Sequence, residues 1–174
     1  MQDLGQLELE RSADDPSSPF RVFDWPMHHI MMTFIQHMEN LNHALKNQGI
    51  DQRIWRVLTQ ISELGTPTVQ GLATAGGFDR STLSKILIQV EALGLVDRKP
   101  DVRDRRRINL TLTDEGRRKI EQCAPHAVNL LETYLADFKP EERELLMKLI
   151  RRLRANVEVE GALAGRRVER ISNA

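Results

Sequence analysis

The feature that most limits what this chain can fold into is a change of period at Gly94. Up to that glycine, apolar residues recur every three or four positions through successive segments. Immediately after it, Leu95-Val96 opens a short extended run, and Arg107 to Thr113 (RINLTLT) alternates apolar with polar. The first spacing collects apolar side chains on one face of a helix and the second on one face of a strand. Between the two strands lies RKPDVRDRR, so they are expected to form a hairpin with a basic tip. The segments on either side are helical, which makes the fold class mainly α with a small β-hairpin.

Each helix has its own boundary signals. The first is expected from Trp25, with Pro26 at the first helical position, where its missing N–H costs nothing. Met27, Met31, Phe34, Met38, Leu41 and Leu45 form its stripe, widened by Ile30 and Ile35. A face that broad calls for two partners, its own domain and a second subunit. Gly49 closes this helix, and Asp51 caps the next, in which Ile54, Val57, Leu58, Ile61 and Leu64 keep the period until Gly65. Thr68 caps a short helix holding Val69, Leu72 and Ala73, and Gly76-Gly77 reads as a turn. Asp79 caps a fourth helix whose Leu83, Ile86, Leu87, Val90 and Leu93 face inward. Thr113 caps a long fifth helix, with Asp114 and Glu115 where the helix dipole favours them. Its apolar face carries Ile120, Ala124, Ala127, Leu131, Tyr134, Leu135 and Phe138, and Pro125 inside it is expected to produce a kink. Pro140 opens a last helix with Leu145, Leu149, Leu153 and Val157 in register, fraying beyond about Gly161.

These boundaries divide the chain into a flexible arm at 1–22, one domain at 23–160 and an Arg-rich tail at 161–174. Net charge is zero over 174 residues, so a surface for nucleic acid must be a local patch. Cys123 is the single cysteine, which excludes an intrachain disulfide and a cysteine-built zinc site and suits a reducing compartment. No stretch is long and apolar enough to cross a bilayer, and the first twenty residues are acidic, unlike a signal peptide. A cytoplasmic protein with no membrane partner is expected.

The order helix, helix, turn, helix, basic hairpin is that of a winged helix-turn-helix, here at about 51–113, flanked by helices at about 25–48 and 114–158. A recognition helix needs small polar and cationic side chains at its N-terminal end, which enters the major groove of double-stranded DNA. Arg80, Ser81, Thr82, Ser84 and Lys85 meet that need, while Leu83 and Ile86 hold the helix to the core. The hairpin offers Arg98, Lys99, Arg103, Arg105, Arg106 and Arg107 against only Asp101 and Asp104, suited to lie along a phosphate backbone or enter a minor groove.

The stretch LATAGGFDRSTLSKILIQVEALGLVDRKPDVRDRRRINLTLTDEG resembles the multiple-antibiotic-resistance-regulator (MarR) family of bacterial regulators. The match rests on Leu72-Ala73, Asp79 to Ser84, Leu93-Gly94-Leu95-Val96 with Arg98, and Asp104-Arg105-Arg106 leading to Leu112-Thr113 and Gly116. The resemblance covers about residues 25–158. It implies a homodimer of interlocked terminal helices carrying two winged-helix lobes, which reads a pseudo-palindromic operator as a ligand-responsive repressor. It also implies that the Asp104 carboxylate pairs with Arg106 and aims it at the groove. Gly76 departs from the family pattern, which has an apolar residue there, and is expected to loosen the short third helix.

Effectors of such regulators are often aromatic. Trp25, His28, His29 and Met32 on the first helix, with Arg53 and Trp55 on the second, are the candidate pocket residues for a small aromatic acid or an acyl thioester. A metal-responsive regulator using His28, His29, His37 and His43 is an alternative. Helical rise separates His29 from His37 by roughly 12 Å, too far to share one ion within a chain. Cys123 has no resolving cysteine and reads as a buried spectator. No phosphate loop, metal cluster or nucleophile motif points to an enzyme, and no cofactor is expected. A winged-helix module that binds protein instead of DNA is the other alternative.

Overall fold

The computed structural model of the chain describes residues 21–102 and 104–172, with side chains described through residue 158. The expected arm (1–22) therefore falls almost wholly outside the described residues, as do Arg103 and the side chains of the Arg-rich tail. Among these residues six α-helices and one hairpin follow in the order α1 (Pro26–Leu45), α2 (Gln52–Leu64), α3 (Val69–Gly76), α4 (Arg80–Ala92), β1 (Val96–Pro100), β2 (Ile108–Leu112), α5 (Asp114–Tyr134) and α6 (Pro140–Ser172). The chain divides into two compact units, one up to Glu39 and one from Asn40 onward, with α1 running through the division.

The caps account for where the helices begin. Asp51 accepts hydrogen bonds from the Arg53 and Ile54 amides, Thr68 from Gly71, and Thr113 from Gly116. Each satisfies amides that the first helical turn leaves without a partner. α1 ends at Leu45 rather than at Gly49, because a 3-10 turn (Lys46–Gln48) intervenes before Gly49 takes the left-handed conformation at φ 71°. α6 runs on to Ser172, so the fraying expected beyond Gly161 does not occur in the backbone. α5 passes through Pro125 as one helix.

The second unit closes around an apolar core. Ile54, Val57, Leu58 and Ile61 of α2, Leu72 of α3, and Leu83, Ile86, Leu87 and Val90 of α4 are buried together with Leu41, Leu45, Leu95, Leu110 and Cys123. No charged or polar residue is buried among the described residues, so the core stands on removal of apolar surface from water. Leu93 was expected to face inward with its helix. It is instead the C-cap of α4 and lies 47% exposed, because the helical period stops there.

The junction at Gly94 explains the change of period. Gly94 turns the chain with φ 67°, and the Leu95 amide donates back to the Val90 carbonyl at 2.9 Å. The Thr113 hydroxyl then donates to the Gly94 carbonyl (2.7 Å) and the Thr113 amide to the Leu95 carbonyl (3.1 Å). The start of α5 is thus bolted to the start of the hairpin. Gly116 sits against this joint so closely that a Cβ would overlap the Leu95 carbonyl. β1 and β2 pair antiparallel, Val96 opposite Leu112 through Pro100 opposite Ile108. Arg98 and Lys99, expected in the loop, therefore lie on a strand, and the loop proper is 101–107. The segment before α3 adds a single bridge, Thr68 to Asn109, and the Leu110 amide donates to the Pro67 carbonyl. The sequence reading missed this third edge, since one bridge leaves no alternation to detect.

Candidate nucleic-acid interface

The N-terminus of α4 is built by Asp79. Its carboxylate accepts the Ser81 hydroxyl at 2.6 Å and the Thr82 amide at 2.9 Å, which holds its pKa down at about 2. The helix period then sorts the side chains. Leu83, Ile86, Leu87 and Val90 go into the core, while Arg80, Ser81, Thr82, Ser84 and Lys85 stay exposed. The five residues expected to meet DNA from this helix are all on its outer side or at its tip. Ile88 shares that side at 63% exposure, an apolar residue the sequence reading passed over. Its spacing from Ser81, Ser84 and Lys85 (seven, four and three residues) was the signal available.

Between α3, the start of α4 and the hairpin lies an open cleft of about 940 Å³. Thr68, Gln70 and Thr74 line one wall, Arg80 and Ser84 the second, and Arg98, Arg106 and Arg107 the third. Among the described residues, four guanidinium groups and no carboxylate line this cleft, which makes it an electropositive concavity in a chain of zero net charge. Gln70 is a residue that the sequence reading missed. Its amide oxygen accepts from Arg80 at 2.5 Å and so fixes where that guanidinium sits.

The hairpin loop is organised by its two aspartates. Asp101 accepts the Asp104 amide (3.0 Å) and the Asn109 side-chain amide (2.7 Å), and its own amide donates to the Arg107 carbonyl (2.8 Å). The resemblance implied that the Asp104 carboxylate pairs with the Arg106 guanidinium. The carboxylate accepts the Arg106 backbone amide instead, at 3.0 Å, and no Asp104–Arg106 ion pair occurs among the described residues. Asp104 therefore shapes the turn and leaves the exposed side chains of Arg105 and Arg106 outside it. Arg98 makes a long ion pair with Glu91 at 3.4 Å, which ties strand β1 to α4. Such a partly exposed pair adds little stability and serves here to orient.

The candidate effector residues fall in the two separate units. In the first, the Phe23 and His28 rings meet edge to face at 5.1 Å, the His28 and His29 rings are 5.6 Å apart, and His29 Nε2 donates to the Phe23 carbonyl at 2.6 Å. Trp25 is 51% and Met32 48% exposed. In the second, Arg53 pairs with Asp51 at 2.5 Å and Trp55 is half-buried against the core. Arg53 thus has a structural partner at the helix cap, which lowers what it can offer a ligand. Among the described residues, no three His, Cys, Asp or Glu side chains are grouped to hold a metal ion. Cys123 is fully buried, and burial pushes its thiol pKa up, away from reactivity. No helix among the described residues is long and apolar enough to cross a membrane.

The MarR family model matches residues 50–108, from the end of the α1–α2 connection to the start of β2. A transcriptional repressor of Pseudomonas putida, IacR, is 30% identical over 112 residues, covering 64% of this chain and 67% of the relative. Among solved structures, Bordetella bronchiseptica BpsR, whose DNA binding is regulated by 6-hydroxynicotinic acid, superimposes with a TM-score of 0.71 at 20% identity. That match covers 78% of this chain and 97% of BpsR. A mutant MarR of Escherichia coli complexed with operator DNA superimposes with a TM-score of 0.68 at 23% identity, over 73% of this chain and 91% of that one. The two structures share the fold. Helix order, hairpin, caps and sequence identity agree: the chain belongs to the MarR family of winged helix-turn-helix transcription regulators.

Proposed function

We propose that the protein represses transcription in the cytoplasm as a homodimer on a pseudo-palindromic operator and is released by a small aromatic acid or its thioester. The observation that carries this reading is the cleft. It is concave, lined by four arginines, and bounded by a helix N-terminus that displays Ser81, Thr82, Ser84 and Lys85. Such an edge suits a duplex, with the helix tip in the major groove and the hairpin along the flanking phosphates. Arg80, Arg98, Arg105 and Arg106 would supply backbone charge, joined by Arg103, which lies outside the described residues. Ser84 and Lys85 would face base edges.

Dimerisation draws support from apolar side chains left uncovered by the single chain. Leu131, Leu149 and Leu153 of α5 and α6 are 37–52% exposed, and in the first unit Met31 and Phe34 are 50–53% exposed. That much apolar surface calls for a second copy. Release then works by population shift: a ligand that favours a lobe spacing unlike the half-site spacing lowers occupancy tenfold for about 1.4 kcal/mol of differential affinity. The aromatic acid that regulates BpsR supports that ligand class. Catalysis and a resident cofactor have no part in this reading.

A gel-shift titration against the DNA flanking the protein's own gene tests it, at two salt concentrations, with and without aromatic acids and their thioesters. Site-specific, salt-sensitive binding relieved by one compound is expected. Arg105→Ala with Arg106→Ala should weaken binding to every duplex and make the slope of log affinity against log salt shallower by about 1 per lost phosphate contact. Failure to retain any duplex would instead favour a module that binds protein.

A further inference from the structure

Gly76, the departure from the family pattern, is not a loose point. It ends α3 buried, and a Cβ there would overlap the Phe78 ring and the Gln60 amide oxygen. Its carbonyl accepts a hydrogen bond from the guanidinium of Arg56, which reaches across from α2. The same guanidinium stacks over the Phe78 ring, 4.4 Å from its centroid. Phe78 lies between the left-handed Gly77 and Asp79, the N-cap of the recognition helix. The turn of the helix-turn-helix therefore carries two separate contacts to one side chain of the core-facing helix α2.

Three electron-rich surfaces meet around this turn. The Gly76 carbonyl lies at the C-terminus of α3, the negative end of that helix. The Phe78 ring presents its face to the cation. The Gln60 amide oxygen, four residues from Arg56 on α2, is buried against Gly76 with no donor among the described residues. A neutral side chain at 56 would leave this region without a compensating cation, whereas a planar guanidinium donates to the carbonyl and stacks on the ring together.

We propose that Arg56 is a positioning residue for DNA binding: it touches no DNA, and it fixes the α3–α4 turn so that the tip of the recognition helix is presented at one angle. The inference rests on the DNA-binding reading above. Phe78 is the other half of the clamp, and Gly76 is glycine because the ring must close over the backbone at that point.

The test uses the full-length protein and an operator selected in vitro by the wild type. Arg56→Ala, Arg56→Lys and Phe78→Leu are compared for operator affinity across a salt series, for thermal melting, and for amide hydrogen exchange at residues 76–82. Arg56→Ala should weaken operator binding about tenfold at a temperature where the protein is fully folded, since only part of what one charged hydrogen bond and one cation–π contact contribute is felt as orientation of the helix tip. Its salt slope should match the wild type, and exchange should quicken at 76–82 and not in α5. Arg56→Lys, which keeps a donor for the Gly76 carbonyl, should recover part of the affinity, and Phe78→Leu should behave as Arg56→Ala does.

Unchanged affinity in Arg56→Ala would overturn the proposal. So would a shallower salt slope, which would make Arg56 a phosphate contact, or a loss that only follows global melting. If the wild type selects no operator, it is the DNA-binding reading that falls.

Discussion

α2 and α6 carry the same sequence signal and meet opposite fates. In α2, Ile54, Val57, Leu58 and Ile61 recur at helical spacing and are at most 1% exposed. In α6, Leu145, Leu149, Leu153 and Val157 recur at every fourth position and are 37–54% exposed. The winged-helix region covers its own apolar face with α3, α4, the hairpin and α5 as far as Leu130. α6 has no such cover among the described residues. A periodic apolar stripe therefore states that a face needs covering and leaves open what covers it. In the homodimer proposed above, the exposed stripe belongs to the seam between subunits and the buried one to the lobe that seam carries.

The sharpest way to break this contrast is to damage each face and ask what is lost. Leu58→Ala removes a fully buried side chain and should cost about 2–5 kcal/mol, read as a lower urea midpoint than the wild type at equal protein concentration. A cost below about 0.5 kcal/mol, the usual effect of a surface change, would mean the lobe is not closed as described. Leu149→Glu should leave the lobe folded and raise the dimer dissociation constant at least 30-fold, roughly 2 kcal/mol, measured by sedimentation. A variant that stays dimeric at wild-type affinity would remove α6 from the seam.

The smallest effect is expected where the lobe meets solvent. Asp79→Ala removes the cap of α4 and should lower the melting temperature by about 2–4 °C while weakening operator binding. Its pH behaviour has a definite sign. The carboxylate is held at about 2 by the Ser81 hydroxyl and the Thr82 amide, below the ordinary aspartate value of 3.8. Its contribution is thus complete above about pH 4 and is lost as pH falls through about 2. A carboxyl resonance of Asp79 that titrates near 4 would show that the cap is not formed in solution.

Most of the element order was readable because each boundary is a local event. Asp51, Thr68, Asp79 and Thr113 cap their helices through atoms within three residues, and Gly94 turns the chain with a conformation that glycine reaches at no steric cost. The outward set on α4 followed from the helical period for the same reason. Errors gathered where a local pattern ends or where partners are distant. Leu93 keeps the period but lies beyond the last helical residue, and Arg98 and Lys99 look like loop until strand pairing claims them.

Sequence alone determined the helices, the hairpin, their order, and the polar tip of α4, since propensity, capping and periodicity act over a few neighbours. Tertiary structure decided the rest. It brought Arg80 to Gln70, ten residues away, and gathered Arg98, Arg106 and Arg107 onto one cleft. It turned the Asp104 carboxylate to a backbone amide rather than a guanidinium, and set Arg56 across the turn that begins at Gly76. These contacts join groups from different elements, and the geometry that aligns them comes from the packing of α2, α3, α4 and the hairpin around one core.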